Sequence, residues 1–304
     1  MALLIVGCTV VDLIFPEVAK LPAWPAHTEF TSANLVLLSA PPLVTIGGNG
    51  ANAAFVAARC GAKVTLHDNL GADALGGLAR AWLAGAKVRI ASSRRSRRTA
   101  INVTAANSRL RRATLFYPGS PVALPASARG FSQVLVCGWP HPPLVPLARR
   151  LRSWRAQGVR TAFDAGPILG TAPTLTDLRS MLAALDLFLA NEHELLAITG
   201  ETRLTPALGR LRNVFRGDIV VKLGARGAKW LPAGKRVPLH LPGRPVRAVN
   251  TVGAGDTFNG ALLAALERRA SFPAALRFAN SAAASVVRSP RGVLGLRPPA
   301  FART

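Results

Sequence analysis

Short β-branched or leucine-rich runs alternate along this chain with longer segments of alanine, leucine and arginine. Leu3–Cys8, Val64–Asp68, Val134–Cys137, Thr161–Asp164, Leu185–Ala190 and Ile219–Leu223 have the length and content of buried strands, and Ala51–Arg59, Gly76–Leu83 and Leu144–Ala156 between them read as helices. Alternation of this kind predicts an α/β fold, a mainly parallel sheet covered by helices on both faces. Two more helices are expected near residues 254–268 and 272–288. Two stretches break the rhythm: Glu29–Ser39, and Arg98–Tyr117, where Thr99–Thr104 and Thr114–Tyr117 read as a hairpin around Asn107 and Ser108. No repeat or low-complexity linker divides the chain, so residues 1–304 are expected to form a single domain.

Composition narrows the function classes. With 50% hydrophobic residues in 304, the chain can bury a large core. Met1–Phe15 is apolar, but no basic segment precedes it, Asp12 interrupts it and no small-residue cleavage pattern follows, so it reads as a buried first strand rather than a leader. No later apolar run reaches the roughly 18 residues of a membrane span, which predicts a soluble protein. Cys8, Cys60 and Cys137 are odd in number, far apart and set among apolar neighbours. They argue against a zinc site or a disulfide framework and for a reducing cytoplasm. His27, His67, His141, His193 and His240 are scattered, and no metalloprotease or nucleophile-elbow pattern accompanies them. The net charge of +24 would ordinarily point to nucleic acid, yet the arginines are spread along the chain, aromatics make up only 6%, and no nucleic-acid-binding motif is present. Specific nucleic-acid binding is therefore not expected.

The most informative segment is Val249–Gly260, a β-like run that ends in Gly253-Ala254-Gly255 and delivers Asp256 to the start of an apolar helix. Glycines let backbone N–H groups approach an anion, and the helix N-terminus behind them carries positive charge. An anion site and a carboxylate coincide there, as phosphoryl transfer requires. The carboxylate need not be a strong base, because the acceptor hydroxyl turns acidic only late in a loose transition state. Asp256 as a mere helix cap is the plainer alternative. Gly47 to Asn52 invites comparison with a dinucleotide fingerprint, but the third glycine is missing and Asp68 alone does not complete the pattern.

The run Asn250 to Gly260 resembles the carboxy-terminal signature of the ribokinase-like (PfkB) carbohydrate kinases, with Asn250 where the family usually has Asp. Four further segments are similar to the family's in order: Gly7–Asp12, Gly47–Asn52, Asn191–Glu194 and Leu223–Gly227. The resemblance implies a three-layer α/β/α fold with a central mainly parallel sheet and a small β-strand lid, here residues 11–40 and 94–118, which often forms a homodimer interface. It implies ATP-dependent phosphorylation of a hydroxyl, usually a hydroxymethyl group. Asp256 would be the base, with the backbone of Gly253, Ala254 and Gly255 as its anion hole. Asp12, Gly48, Asn49 and Asn52 would hold the acceptor. Asn191, Lys222, Gly224, Gly227 and Asn280 would line the nucleotide site, and Glu194 would hold Mg²⁺ through water. Asn250 leaves a monovalent-cation site open. The acceptor is a sugar, a nucleoside or a sugar phosphate; these motifs do not separate them. Arg94-Arg95-Ser96-Arg97-Arg98 could face water or meet an anionic group on the substrate. Outside the family stand a basic nucleic-acid-binding protein, an inactive relative that serves as an interaction module, and a nicotinamide-dependent oxidoreductase.

Overall fold

The computed structural model describes residues 2–21, 32–91, 98–107, 111–138, 143–168 and 170–300. The first half contains strands β1 (Ala2–Val6), β2 (Val10–Phe15), β3 (Leu43–Gly47), β4 (Lys63–His67), β5 (Arg89–Ile90), β6 (Ala100–Ala106), β7 (Arg112–Tyr117) and β8 (Gln133–Cys137), with helices α1 (Asn49–Arg59) and α2 (Ala74–Gly85). The second half contains α3 (Leu144–Ala156), β9 (Arg160–Asp164), α4 (Leu175–Leu182), β10 (Leu187–Asn191), α5 (Glu192–Thr199) and α6 (Leu204–Val214). It closes with β11 (Asp218–Lys222), β12 (Ala228–Leu231), β13 (Leu239–Leu241), α7 (Ala254–Glu267) and α8 (Phe272–Val287).

The main sheet runs β13-β12-β11-β10-β9-β8-β1-β4-β5 and is parallel from β5 to β11. Strands β12 and β13 add an antiparallel edge. Alternation along β1 shows how two cores arise from one strand. Leu3 and Ile5 face α1, α7 and α8, whereas Leu4 and Val6 face the cluster that includes Trp154 of α3 and Leu211 of α6. Strands covered on both faces need no polar face, which is why Leu187 to Ala190 are apolar throughout and buried.

A second sheet, in the order β3-β2-β6-β7, stands beside the first. The extended piece expected at Glu29–Ser39 is followed, at Leu43–Gly47, by the strand β3 that joins this sheet. Part of Glu29–Ser39 is outside the described residues, and the remainder carries only the 3-10 turn Ser32–Asn34. Pairing begins at Leu43, directly after Pro41 and Pro42, which have no N–H to give a ladder. The hairpin β6–β7 forms, with β7 starting two residues earlier than the pattern predicts. Asn69 ties down two of the four crossings between the sheets, those after β1 and after β7: its Oδ1 accepts from the Thr9 N–H at 3.1 Å and its Nδ2 donates to the Ser120 carbonyl at 2.6 Å.

Candidate active site

In a parallel sheet the carboxyl ends of the strands share one edge, and side chains from different parts of the sequence meet there. Asp164 ends β9, Asn191 ends β10 and Lys222 ends β11 at this edge. The amino-terminal ends of α1 and α7 arrive at the same place. Gly48 caps α1 with φ of 83°, and a Cβ there would lie 2.5 Å from the Cys8 carbonyl oxygen. Gly253 caps α7 with φ of 74°, and a Cβ would meet Val293 at 2.6 Å. Only glycine meets both demands at each position. No side chain caps α7; the Ala254 N–H turns back to the Thr251 carbonyl at 3.5 Å, and among the described residues the N–H groups of Gly255 and Asp256 stay available to a ligand.

The two helix ends are tied by one bond, from Asn52 Nδ2 to Asp256 Oδ2 at 2.9 Å, across 204 residues of sequence. Asn52 Oδ1 is buried and has no protein partner among the described residues. Desolvation raises the Asp256 carboxyl above its ordinary range; the Asn52 amide opposes this, the charge of Asp164 adds to it, and Lys222 opposes it. Asn49 turns inward, its Oδ1 accepting from the Cys8 thiol at 3.4 Å and from the Gly50 N–H at 2.8 Å.

On one side of Asp256 lies the small sheet. Thr45, Asp12 and Asn102 are directly opposite one another on β3, β2 and β6, a polar row on a single face. Asn102 Nδ2 donates to Asp12 Oδ1 at 3.1 Å, and the buried Thr45 hydroxyl has no protein partner among the described residues. Gly47, on the same face, leaves room for the Asp12 carboxylate; a Cβ there would be 2.3 Å from Oδ2. Burial pushes the Asp12 carboxyl up to about 6, with Asn102 opposing the rise and Asp256 contributing to it.

On the other side is a cavity of about 360 Å³ lined by Lys222, Gly224, Gly227, Gly255, Phe258 and Asn280 among others. The expected nucleotide residues Lys222, Gly224, Gly227 and Asn280 thus meet in one place, while Asn191 is not part of this lining. Asn280 Nδ2 donates to the carbonyls of Leu241 and Pro242, both at 3.2 Å, which leaves its oxygen as the remaining acceptor. Lys222 Nζ bonds Asp164 Oδ1 at 2.6 Å, both groups nearly buried.

Asn191 and Glu194 form a reciprocal capping box. Glu194 accepts from the Asn191 N–H at 2.7 Å and from Asn191 Nδ2 at 2.6 Å, while its own N–H donates to Asn191 Oδ1 at 2.8 Å. Desolvation raises the Glu194 carboxyl; Lys222 opposes the rise, while Asp164 and Asp256 add to it. Among the described residues no group of three or more His, Cys, Asp or Glu side chains is arranged to hold a metal directly. The set Asp164, Glu194 and Asp256 around Lys222 instead suits a hard cation held through water and phosphate oxygens.

The sequence reading missed Asp164, Asn102, Thr45 and Arg112, which donates to the Thr251 hydroxyl at the rim of the cavity. Of these, Asp164 had a signal, an acid at the end of a strand in a parallel sheet. Arg94 to Arg97 lie outside the described residues.

The description "pfkB family carbohydrate kinase" matches residues 26–296. This chain belongs to the pfkB family of carbohydrate kinases. It is 30% identical over 237 residues to a mouse ribokinase, an alignment covering 72% of this chain and 70% of the relative. To a Haemophilus influenzae ribokinase it is 28% identical over 279 residues, covering 84% and 85%. The fold of this pfkB kinase matches the structure of Arabidopsis thaliana ribokinase complexed with ribose and ATP, at a TM-score of 0.78 and 22% identity, over 97% of this chain and 96% of that one. Among the described residues of the kinase, no helix is long and apolar enough to cross a membrane.

Proposed function

We propose that this kinase transfers the γ-phosphoryl group of ATP to a hydroxymethyl group of a sugar, and that a pentose such as ribose is the first acceptor to try. The observation that carries this is the position of Asp256: it is bonded to Asn52, with the Asp12 row on one side and the apolar cavity on the other. The relatives' names support the sugar, and the complex of the Arabidopsis enzyme with ribose and ATP supports both substrates.

In this reading Asp12, with Thr45, Asn102 and Asn52 around it, orients the acceptor by accepting its O–H groups. Asp256 takes the proton from the hydroxymethyl oxygen as that oxygen bonds to the γ-phosphorus. The bond from that phosphorus to the bridging oxygen breaks, ADP leaves with the electron pair, and the N–H groups after Gly253 carry the charge on the phosphoryl oxygens. The bound magnesium ion would neutralise nucleotide phosphates, with Glu194 as its water-mediated anchor and Asn191 holding that carboxylate in place. The small sheet acts as a lid that keeps water from the phosphoryl group. Exposed Val44, Leu115, Phe116 and Tyr117 on that sheet support a homodimer through the lid. Three buried free thiols support a cytoplasmic setting.

The test is ADP release from Mg-ATP over a panel of pentoses, fructose, 2-keto-3-deoxygluconate, nucleosides and hexose phosphates. Turnover of a free sugar that is lost in Asp256→Asn supports the proposal. Turnover confined to nucleosides or sugar phosphates overturns the acceptor, and silence from a chain that fails to bind ATP overturns the reaction.

A further inference from the structure

Asp12 stands on the small sheet and Asp256 on α7, so acceptor and phosphoryl donor meet in line only if the small sheet is held at one position over the main one. The chain crosses between the sheets four times: from β1 into β2, from β3 into α1, from β5 into β6 and from β7 into β8. Side chains of one segment, residues 68–73 between β4 and α2, hold three of these crossings.

Thr9 comes directly before β2. Its N–H donates to Asn69 Oδ1 at 3.1 Å and its hydroxyl to Asp68 Oδ2 at 2.5 Å. Asn69 Nδ2 donates to the carbonyls of Ser120, at 2.6 Å, and Pro118, at 3.4 Å, where the chain leaves β7. Asp73 accepts from the N–H and the hydroxyl of Thr99, the residue before β6, at 2.9 and 2.6 Å. Thr9, Asp68 and Asn69 are fully buried, so no water replaces a bond lost among them. Neither Asp68 nor Asn69 lines the nucleotide cavity. Behind the small sheet Val11 packs with Leu70 and Ala79, but apolar contact is not directional and leaves the fine position to the hydrogen bonds. Thr9 is three residues, about 10 Å of strand, from Asp12. Because β2 is paired on both sides, with β3 and β6, a shift at Thr9 carries Asp12, Thr45 and Asn102 along as one row.

We propose that Asn69 and Asp68 are positioning residues for the transfer: through Thr9 and Ser120 they fix where the small sheet presents the Asp12 row to Asp256. They thereby set the affinity for the acceptor and the share of ATP turnover that ends on the acceptor rather than on water. The inference rests on the kinase reading above. It gives Asp68 a role by contact with Thr9 rather than with a nucleotide.

The experiment compares wild type with Asn69→Ala, Thr9→Val and Thr9→Ser, using ribose or the panel sugar that wild type turns over best. Thr161→Val is the control: it too deletes a fully buried threonine hydroxyl bonded to an aspartate, Asp186, but within β9 of the main sheet. Steady-state kinetics, sugar phosphate formed per ADP released and thermal melting are read on each, the first two well below the lowest melting temperature. Asn69→Ala and Thr9→Val should each raise KM for the acceptor by about tenfold or more, leave KM for ATP within about threefold and lower the yield of sugar phosphate per ADP. Thr9→Ser, which keeps the hydroxyl, should behave as wild type. Thr161→Val should melt earlier with acceptor KM and yield unchanged. Acceptor KM and yield unchanged in Asn69→Ala and Thr9→Val overturn the inference, as does an equal rise in KM for ATP or the same losses in Thr161→Val, which would trace them to stability alone. Should Asn69→Ala fail to fold, Thr9→Val against Thr9→Ser decides. A wild-type chain that turns over no acceptor overturns the kinase reading, and this inference with it.

Discussion

Lys222 and Asp164 offer a sharp test of how the site is held together. The ammonium and the carboxylate are 2.6 Å apart, with side chains 11% and 3% exposed. Ion pairs this deep contribute little net stability, because desolvating both charges offsets their attraction, yet removing one partner strands the other in a medium that solvates it poorly. Lys222→Met should therefore cost about 3–5 kcal/mol, the range for an orphaned buried charge. That is a large share of the roughly 5–15 kcal/mol that holds a typical domain together. Asp164→Leu should cost less, about 1–3 kcal/mol, because Lys222 keeps Asn259 Oδ1 at 3.4 Å and the charges of Glu194 and Asp256.

The assay is urea unfolding at pH 7, read by tryptophan fluorescence, on wild type, both single variants and the double variant. If the pair is mutual, Lys222→Met/Asp164→Leu should be more stable than Lys222→Met alone, with a coupling of about 2 kcal/mol or more. Coupling below about 0.5 kcal/mol would refute the reasoning, since two orphaned charges cannot both be costly and yet indifferent to each other's removal. A functional consequence follows in the single variant. Lys222 opposes the rise of the Glu194 carboxyl, so its loss should move the acid limb of the pH-rate profile upward.

Asp256→Asn should lower kcat by about 10²–10⁴-fold while the acceptor and ATP still bind, measured by steady-state kinetics and calorimetry. Asp12 must be ionised to accept acceptor O–H bonds, so kcat/KM should rise as pH increases through about 6; a profile flat from pH 5 to 8 would remove Asp12 from that role. Stability runs the other way, because the folded carboxyl is raised. Its contribution is complete below the unfolded value near 4 and lost as pH rises through about 6, so the melting-temperature advantage of wild type over Asp12→Asn should shrink across that window. Gly253→Ala places a Cβ 2.6 Å from Val293 at φ of 74°; strain of about 1–2 kcal/mol and a displaced anion hole should cost about 10²-fold in kcat, with only a modest drop in melting temperature. Association of ATP should slow steeply between low and physiological salt, in stopped-flow measurements, given a net charge of +24.

How far the fold could be read depended on which forces spoke locally. Strands buried on both faces and helices such as α3 and α7 announce themselves through apolar content, and the glycine turns before α1 and α7 through residues that only a strained or crowded backbone needs. The strand Leu43–Gly47 was hidden because its alternation is short and the more apolar Leu35–Leu38 lies just upstream; proline chemistry, rather than hydropathy, decided where pairing starts. The antiparallel edge β12–β13 was hidden because strands of four and three residues carry little pattern. At the site, Asp256 stood out through the glycine turn before it, whereas Asn52 and Lys222 were reached only through the family resemblance. Thr45 and Asn102 were not, since their role comes from cross-strand register with Asp12, a relation that no spacing along the chain expresses.

The charge distribution ties site to surface. Of 14 acidic residues in the chain, Asp12, Asp164, Glu194 and Asp256 stand at this one place. Against them the site sets Lys222 and, from the small sheet, Arg112, so an inward-facing negative cluster sits inside a strongly basic protein. Each field suits a different step. The basic exterior raises the local concentration of a polyanionic nucleotide and draws it toward the cleft, while the carboxylates inside would repel its phosphates unless a cation came with it. Burial does most to raise the carboxyls of Glu194 and Asp256, and the neighbouring negative charges add to the rise. A nucleotide that arrives with its divalent ion removes the repulsion, whereas bare ATP meets it in full. On the proposed reading Asp12 orients the acceptor and Asp256 takes its proton, and the cluster that these two form with Asp164 and Glu194 would favour the metal complex over the free nucleotide.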